Sequence, residues 1–243
     1  MPATAEVASA VRSRFFISNA ARKSFLLPMP LHPVIAVDGT AASGKSTFSR
    51  ALAERLGFAY VSTGEMYRGV TWCVQERGID PRDAARVEAL IAATAVETTL
   101  RGGELAFRVG GIDPLPHVRE ERVNHGVSLV AKVSAVRRLL VAQQQRLAEL
   151  APLVMEGRDI GTVVFPATPY KFFIDADATV RAQRRAAQGE RDSILQRDVI
   201  DSQRPDSPLL CATDAARLDS GKYRVDELVT QALAHLTSRG FAI

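Results

Sequence analysis

Val34-Ile35-Ala36-Val37-Asp38-Gly39-Thr40-Ala41-Ala42-Ser43-Gly44-Lys45-Ser46 decides how this chain is read. The apolar run 34–37 stops at Asp38-Gly39, as a central parallel strand covered on both faces does. Gly39 to Ser46 then satisfies G-x-x-x-x-G-K-[ST] at every constrained position, and Phe48, Leu52 and Leu56 follow at helical spacing until Gly57. Strand, glycine-rich turn and helix are the context in which this motif cradles phosphate. Gly39 and Gly44 let successive N–H groups converge on phosphate oxygens, and the helix N-terminus adds a positive dipole. Lys45 is expected to reach the β- and γ-phosphates of ATP and Ser46 to ligate Mg²⁺ carried with the nucleotide. Thr40, Ala41, Ala42, Ser43 and Thr47 complete the expected ATP-binding loop. A glycine-rich turn with a solvated Lys45 is the bland alternative, and the flanking strand and helix argue against it.

Outward from this loop the chain alternates. Phe58 to Val61 reads as a strand ending at Ser62-Thr63-Gly64, with a helix behind it. Asp80-Pro81 reads as a helix start, and Glu97–Arg101 and Glu104–Val109 flank Gly102-Gly103 as the arms of a hairpin. Ser134 reads as the cap of a helix carrying Val136, Leu139, Leu140, Leu147 and Leu150. Leu153-Val154-Met155 and Phe172-Phe173-Ile174 read as buried strands, Asp177 to about Arg204 as charged helix, and Leu228, Ala232 and Leu236 as a final helix. The expected fold class is α/β, a P-loop domain with a central parallel sheet flanked by helices. Residues 33–243 form that single domain, with an insertion over about 80–127, and residues 1–32 read as an extension in which Met29 is an alternative start.

Composition narrows the function classes. Of 243 residues 47% are hydrophobic and 24% charged, and no apolar run approaches the roughly 18 residues that would span a bilayer. The formal net charge of +4 is concentrated at the start: Arg12, Arg14, Arg22 and Lys23 face the single acid Glu6. The remainder is close to neutral, which argues against a nucleic-acid partner. Cys73 and Cys211, and His32, His117, His125 and His235, show no metal-ligand spacing, and the cysteines fit a reducing cytoplasm.

Cations outside the loop choose the chemistry, because phosphoryl transfer needs aligned partners and compensated negative charge. Arg68 follows Tyr67 in the helix after Thr63-Gly64. Arg158-Asp159 follows the strand Leu153–Glu156 through Gly157, at a strand end where open α/β sheets bind ligands. Arg197, Asp201 and Arg204 share one helical face. Each arginine alone reads equally well as a surface ion pair. Beside a bound triphosphate, together they suit a kinase whose acceptor carries a phosphate.

The chain resembles the bacterial cytidylate kinases over nearly all of residues 33–240. The resemblance is carried by Val37 through Thr47, Ser62-Thr63-Gly64-Glu65-Met66-Tyr67-Arg68, Ser128 through Arg137, Arg197 through Arg204 and, most specifically, Glu156-Gly157-Arg158-Asp159-Ile160-Gly161-Thr162-Val163-Val164-Phe165-Pro166. It implies a monophosphate-binding insertion, a helical lid over about 187–207, and ATP-dependent phosphorylation of CMP and dCMP. Arg68, Arg158 and Arg204 would then hold the acceptor phosphate, with Lys45, Arg158 and Arg204 stabilising the transferring group. Thr63, Ser128, Arg137 and Asp159 would hold the acceptor, the last three reading cytosine, and Tyr67, Arg197 and Asp201 would lie near the sugar. Partners beyond ATP and CMP or dCMP are not expected; the chain reads as a cytoplasmic monomer with no membrane. Ser134 and Ala42 depart from the family's common proline and glycine, and the lid is less charged between its key residues. Another small acceptor such as UMP, or a nucleotide-dependent switch, remains the competing reading.

Overall fold

The computed structural model describes residues 31–187, 194–203 and 206–242. Residues 1–30, most of the expected extension and Met29 with it, lie outside the described residues. So do 188–193 and 204–205 of the expected lid.

In chain order the elements are β1 (Val34–Gly39), α1 (Lys45–Leu56), β2 (Ala59–Ser62), α2 (Thr63–Glu76), α3 (Ala84–Ala92), β3 (Val96–Arg101) and β4 (Glu104–Val109). There follow α4 (Glu121–Val130), α5 (Ser134–Leu147), β5 (Leu153–Glu156), β6 (Lys171–Asp175), α6 (Ala178–Ala187), α7 (Ile194–Ser202), β7 (Ala216–Asp219) and α8 (Val225–Ser238). The strands form one sheet in the order β3-β4-β2-β5-β1-β6-β7, parallel throughout except for the β3–β4 pair. This is the α/β architecture with a mostly parallel central sheet that the alternation predicts.

β1 is apolar from Val34 to Val37 because both its faces are covered. Val34 and Ala36 belong to the core shared with α2 and α5, and Ile35 and Val37 to the core shared with α1 and α8. In the second core Phe48 meets Phe172 edge to face at 5.9 Å. Gly57, at φ 67°, ends α1 and donates to the carbonyls of Ala53 and Glu54.

The hairpin forms as its Gly102-Gly103 turn predicts, with positive φ at both glycines. It also continues the central sheet: Tyr60 pairs with Glu104, and the Tyr60 N–H donates to the Gly103 carbonyl. Two helix starts differ from expectation. Asp80-Pro81 makes a turn in which the Asp80 carboxylate accepts from the Arg82 N–H, and α3 starts later, capped by Asp83. Ser134 is the first residue of α5, not its cap; its hydroxyl donates to Asp206, because an ionised acceptor makes the stronger bond.

The carboxyl ends of β1, β2 and β5 converge at Gly39, Ser62 and Glu156. The alternation of elements places that crevice, and ligands of open α/β sheets bind there.

Candidate functional site

A cleft of about 650 Å³ opens at these strand ends. Its lining includes Ala41 to Thr47 and, from β2 and α2, Thr63, Tyr67 and Arg68, with Ser128, Arg158, Asp159 and Asp201 opposite. Most of the residues expected in the site are therefore in one cavity. Gly39 and Thr40 lead into the loop, and Arg137 stands behind Asp159. The side chain of Arg197 and all of Arg204 lie outside the described residues.

The loop is held from several sides. Gly39 has φ 153°, and a Cβ there would fall 1.9 Å from the Ile174 carbonyl oxygen, so the strand can leave the sheet only as glycine. Ala42 adopts φ 56°, a left-handed conformation unusual for a residue with a side chain. The Thr40 hydroxyl donates to Asp175 at 2.6 Å, and the Ser220 hydroxyl to the Ser43 carbonyl at 2.6 Å. Asp198 of α7 accepts from the Ala41 N–H at 3.0 Å, and Arg181 donates both to Asp198 and to the Ala41 carbonyl.

Lys45 is 5% exposed, and its ammonium donates to the Thr40 carbonyl at 2.6 Å. Burial, followed by the charge of Arg158, lowers its pKa to about 7.

Glu156 gathers the polar floor of the cleft. Its Oε1 accepts from Ser46 and Ser62, each at 2.8 Å, and from Tyr60 at 3.3 Å, while its carbonyl accepts from Thr63 at 2.9 Å. Burial pushes its carboxyl up, yet Lys45, the two serine hydroxyls and Arg158 together hold it below the ordinary carboxylate value. Sequence reasoning missed Glu156 as a site residue; its place at the end of a buried strand beside the glycine-rich loop was the available signal. Arg181, Arg184 and Ser220 were also missed, the last because β7 is too short to announce itself.

After β5 the chain turns sharply at Gly157, where a Cβ would meet the Thr63 hydroxyl and the Ile160 side chain at 2.6 Å each. This turn presents Arg158 and Asp159. Arg158 Nε donates to Asp201 at 2.8 Å, and Arg137 Nη2 donates to Asp159 at 2.5 Å. Arg137 and Asp159 are 3% and 4% exposed, a buried pair that lies beside the Tyr67 ring, 5.4 Å from the Arg137 guanidinium carbon. Arg68 Nε donates to Asn124 at 3.4 Å.

Among the described residues no cluster of three or more His, Cys, Asp or Glu is placed to hold a metal ion, and no helix is long and apolar enough to cross a membrane. Ser46 and Glu156 do offer hard oxygen donors at the mouth of the loop, of the kind Mg²⁺ takes.

Residues 35–238 match the family model described as cytidylate kinase. A bifunctional pantoate ligase/cytidylate kinase of Synechococcus sp. (strain WH7803) is 44% identical over 214 residues, which is 83% of this chain and 44% of that protein. One of the same description from Parasynechococcus marenigrum (strain WH8102) is 40% identical over 229 residues, covering 89% of this chain and 45% of that protein. The chain thus spans less than half the length of these relatives. With the family's pattern running through most of its length and the Gly157-Arg158-Asp159 turn set against a phosphate-binding loop, this chain belongs to the cytidylate kinase family.

Proposed function

We propose that this protein transfers the γ-phosphoryl group of ATP to the phosphate of CMP or dCMP, yielding ADP and CDP or dCDP. The observation that carries the reading is that the glycine-rich loop, Arg68, Arg158 and Asp159 line a single cleft.

An oxygen of the acceptor phosphate forms the new bond to the γ-phosphorus; the bond from that phosphorus to the β,γ-bridging oxygen breaks, and its electron pair stays on ADP. The attacking oxygen is already anionic, so no general base is needed. Loop N–H groups and Lys45 orient the donor, and Arg158, together with Arg204, compensates charge on the group in flight. Arg68 holds the acceptor phosphate. Tyr67, Arg197 and Asp201 lie near the sugar, and Thr63 and Ser128 complete the acceptor pocket.

Asp159, fixed by Arg137, accepts a hydrogen bond from the exocyclic amino group of cytosine. Uracil presents a carbonyl at that place, which would leave two acceptors facing each other in a buried site. Ser46 and Glu156 are the residues that would hold Mg²⁺ beside the nucleotide. The ion, when bound, neutralises charge on the β- and γ-phosphates. The protein is read as a cytoplasmic monomer that engages neither nucleic acid nor membrane.

Coupled ADP release measured with CMP, dCMP, UMP, AMP and shikimate tests the reading. Fastest turnover with CMP or dCMP is expected. Preference for an acceptor without the cytosine amino group would refute it, and acceptor-independent ADP release would favour a nucleotide switch.

A further inference from the structure

Asp159 immediately precedes the π-helical turn Ile160–Val164, the place from which a short polar side chain normally caps the free N–H groups of a first turn. Asp159 makes no such bond; its carboxylate is engaged by Arg137. A residue from another strand takes the turn's donors instead. Asp38, on β1, accepts from the Ile160 N–H through Oδ1 at 2.8 Å and from the Gly161 N–H through Oδ2 at 2.7 Å.

We propose that Asp38 is a positioning residue: by capping this turn from the neighbouring strand, it keeps the Asp159 carboxylate out of the turn and available, with Arg137, to the base of the acceptor. The inference rests on the reading of Asp159 given under Proposed function.

Two carboxylates compete for one pair of donors, and the outcome is set by the sheet. β1 pairs with β5 on one side and β6 on the other, and the Gly157 N–H donates to the Val37 carbonyl, so Asp38 stands at a fixed height beside the turn. Asp38 is 4% exposed, so its carboxylate relies on hydrogen bonds from within the protein. Without its carboxylate, two buried N–H groups lose their acceptor, and Asp159, directly before the turn, is an acidic side chain in the ordinary capping position. Were Asp159 to rotate back and cap its own turn, Arg137 would lose its partner and the pocket its acceptor for an amino group. Gly161 fits the same arrangement. A Cβ there would stand in ordinary contact with Asp38 Oδ2 at 3.4 Å, and the Lys171 side chain, at 3.1 Å, would have to give way.

Asp38→Asn is the discriminating variant, because the amide keeps the shape and one acceptor but sets an NH₂ against a backbone N–H. On the full chain, kcat/KM for CMP and for UMP is compared with ATP saturating. The expected result is a CMP-over-UMP preference reduced about tenfold, with the KM for ATP changed less than about twofold. A ratio of two acceptors measured on one preparation does not depend on how much of it is folded, so mere destabilisation would not move it. An unchanged ratio would overturn the proposal. Should the variant fail to fold, amide hydrogen exchange on the parent protein decides. Ile160 and Gly161 are expected to exchange as slowly as core strand amides, and exchange at loop rates would overturn the cap. A parent with no preference for CMP would refute the reading of Asp159 instead, a failure visible before any variant is made.

Discussion

Arg158 and Asp201 meet across the cleft with Nε 2.8 Å from Oδ2, so the turn after β5 is joined directly to α7. The side chains are 23% and 5% exposed, and both residues line the cleft. Arg158→Ala should lower kcat about 100- to 1000-fold, the size of loss seen when one preorganised charge donor is removed from a transition state. The dissociation constant for ATP, measured by calorimetry, should change less than about threefold. Near-parental turnover would remove Arg158 from the reaction.

Glu156→Gln should raise the Mg²⁺ concentration for half-maximal turnover about fivefold, because the Ser46 hydroxyl is then no longer held by a charged acceptor. A Mg²⁺ titration at fixed ATP measures this. The variant should also lose about 1–3 kcal/mol of stability in urea, since Ser62 and Tyr60 donate to the same oxygen. An unchanged Mg²⁺ requirement would separate Glu156 from the ion.

Asp198 accepts from the Ala41 N–H, one of the loop donors proposed to orient the triphosphate. Asp198→Asn, which removes a negative charge from that position, should tighten ATP binding about three- to tenfold, more at low ionic strength than at high. Weaker binding in the variant would mean that the carboxylate supports the loop rather than competes for it.

Burial raises the Asp38 carboxyl to about 7, against the opposing pull of its two backbone donors; Asp159 raises it further and Lys45 lowers it. The folded state therefore holds this proton more tightly than the unfolded chain does. Its contribution to stability is fully present below about pH 4 and lost as the pH rises through about 7. The urea midpoint of the parent minus that of Asp38→Asn should fall over that interval. Protonation also costs the turn an acceptor, so the CMP-over-UMP ratio should weaken on the acid side of 7; a ratio flat in pH would contradict this.

Much of the fold was legible because β1 and the helices each carry a pattern of their own. The uninterrupted run 34–37, the glycines at 39, 44 and 57, and the Gly102-Gly103 turn each dictate local structure without help from distant residues. α4 and β7 escaped notice because a mixed polar helix and a four-residue strand are defined by what they pack against. Lys45 and the Arg158-Asp159 pair were readable from motif and strand end. Glu156 and Asp38 were not read as site residues, since an acidic residue closing a strand reveals its partners only when neighbouring strands are laid beside it. Asp198 depends on contact between α7 and a loop 157 residues earlier, and periodicity carries no trace of such contacts.

The packing of Gly39 against Ile174 limits how this lineage can drift. Any side chain at position 39 would collide with a carbonyl of the adjacent strand, so an inherited change there would have to separate β1 from β6 before it could be tolerated. Three residues on, Ala42 already carries a methyl group at φ 56°. Variation in the loop is thus narrow at both places: 39 has to stay glycine, and 42 admits glycine, alanine, asparagine or aspartate at the least cost in backbone strain.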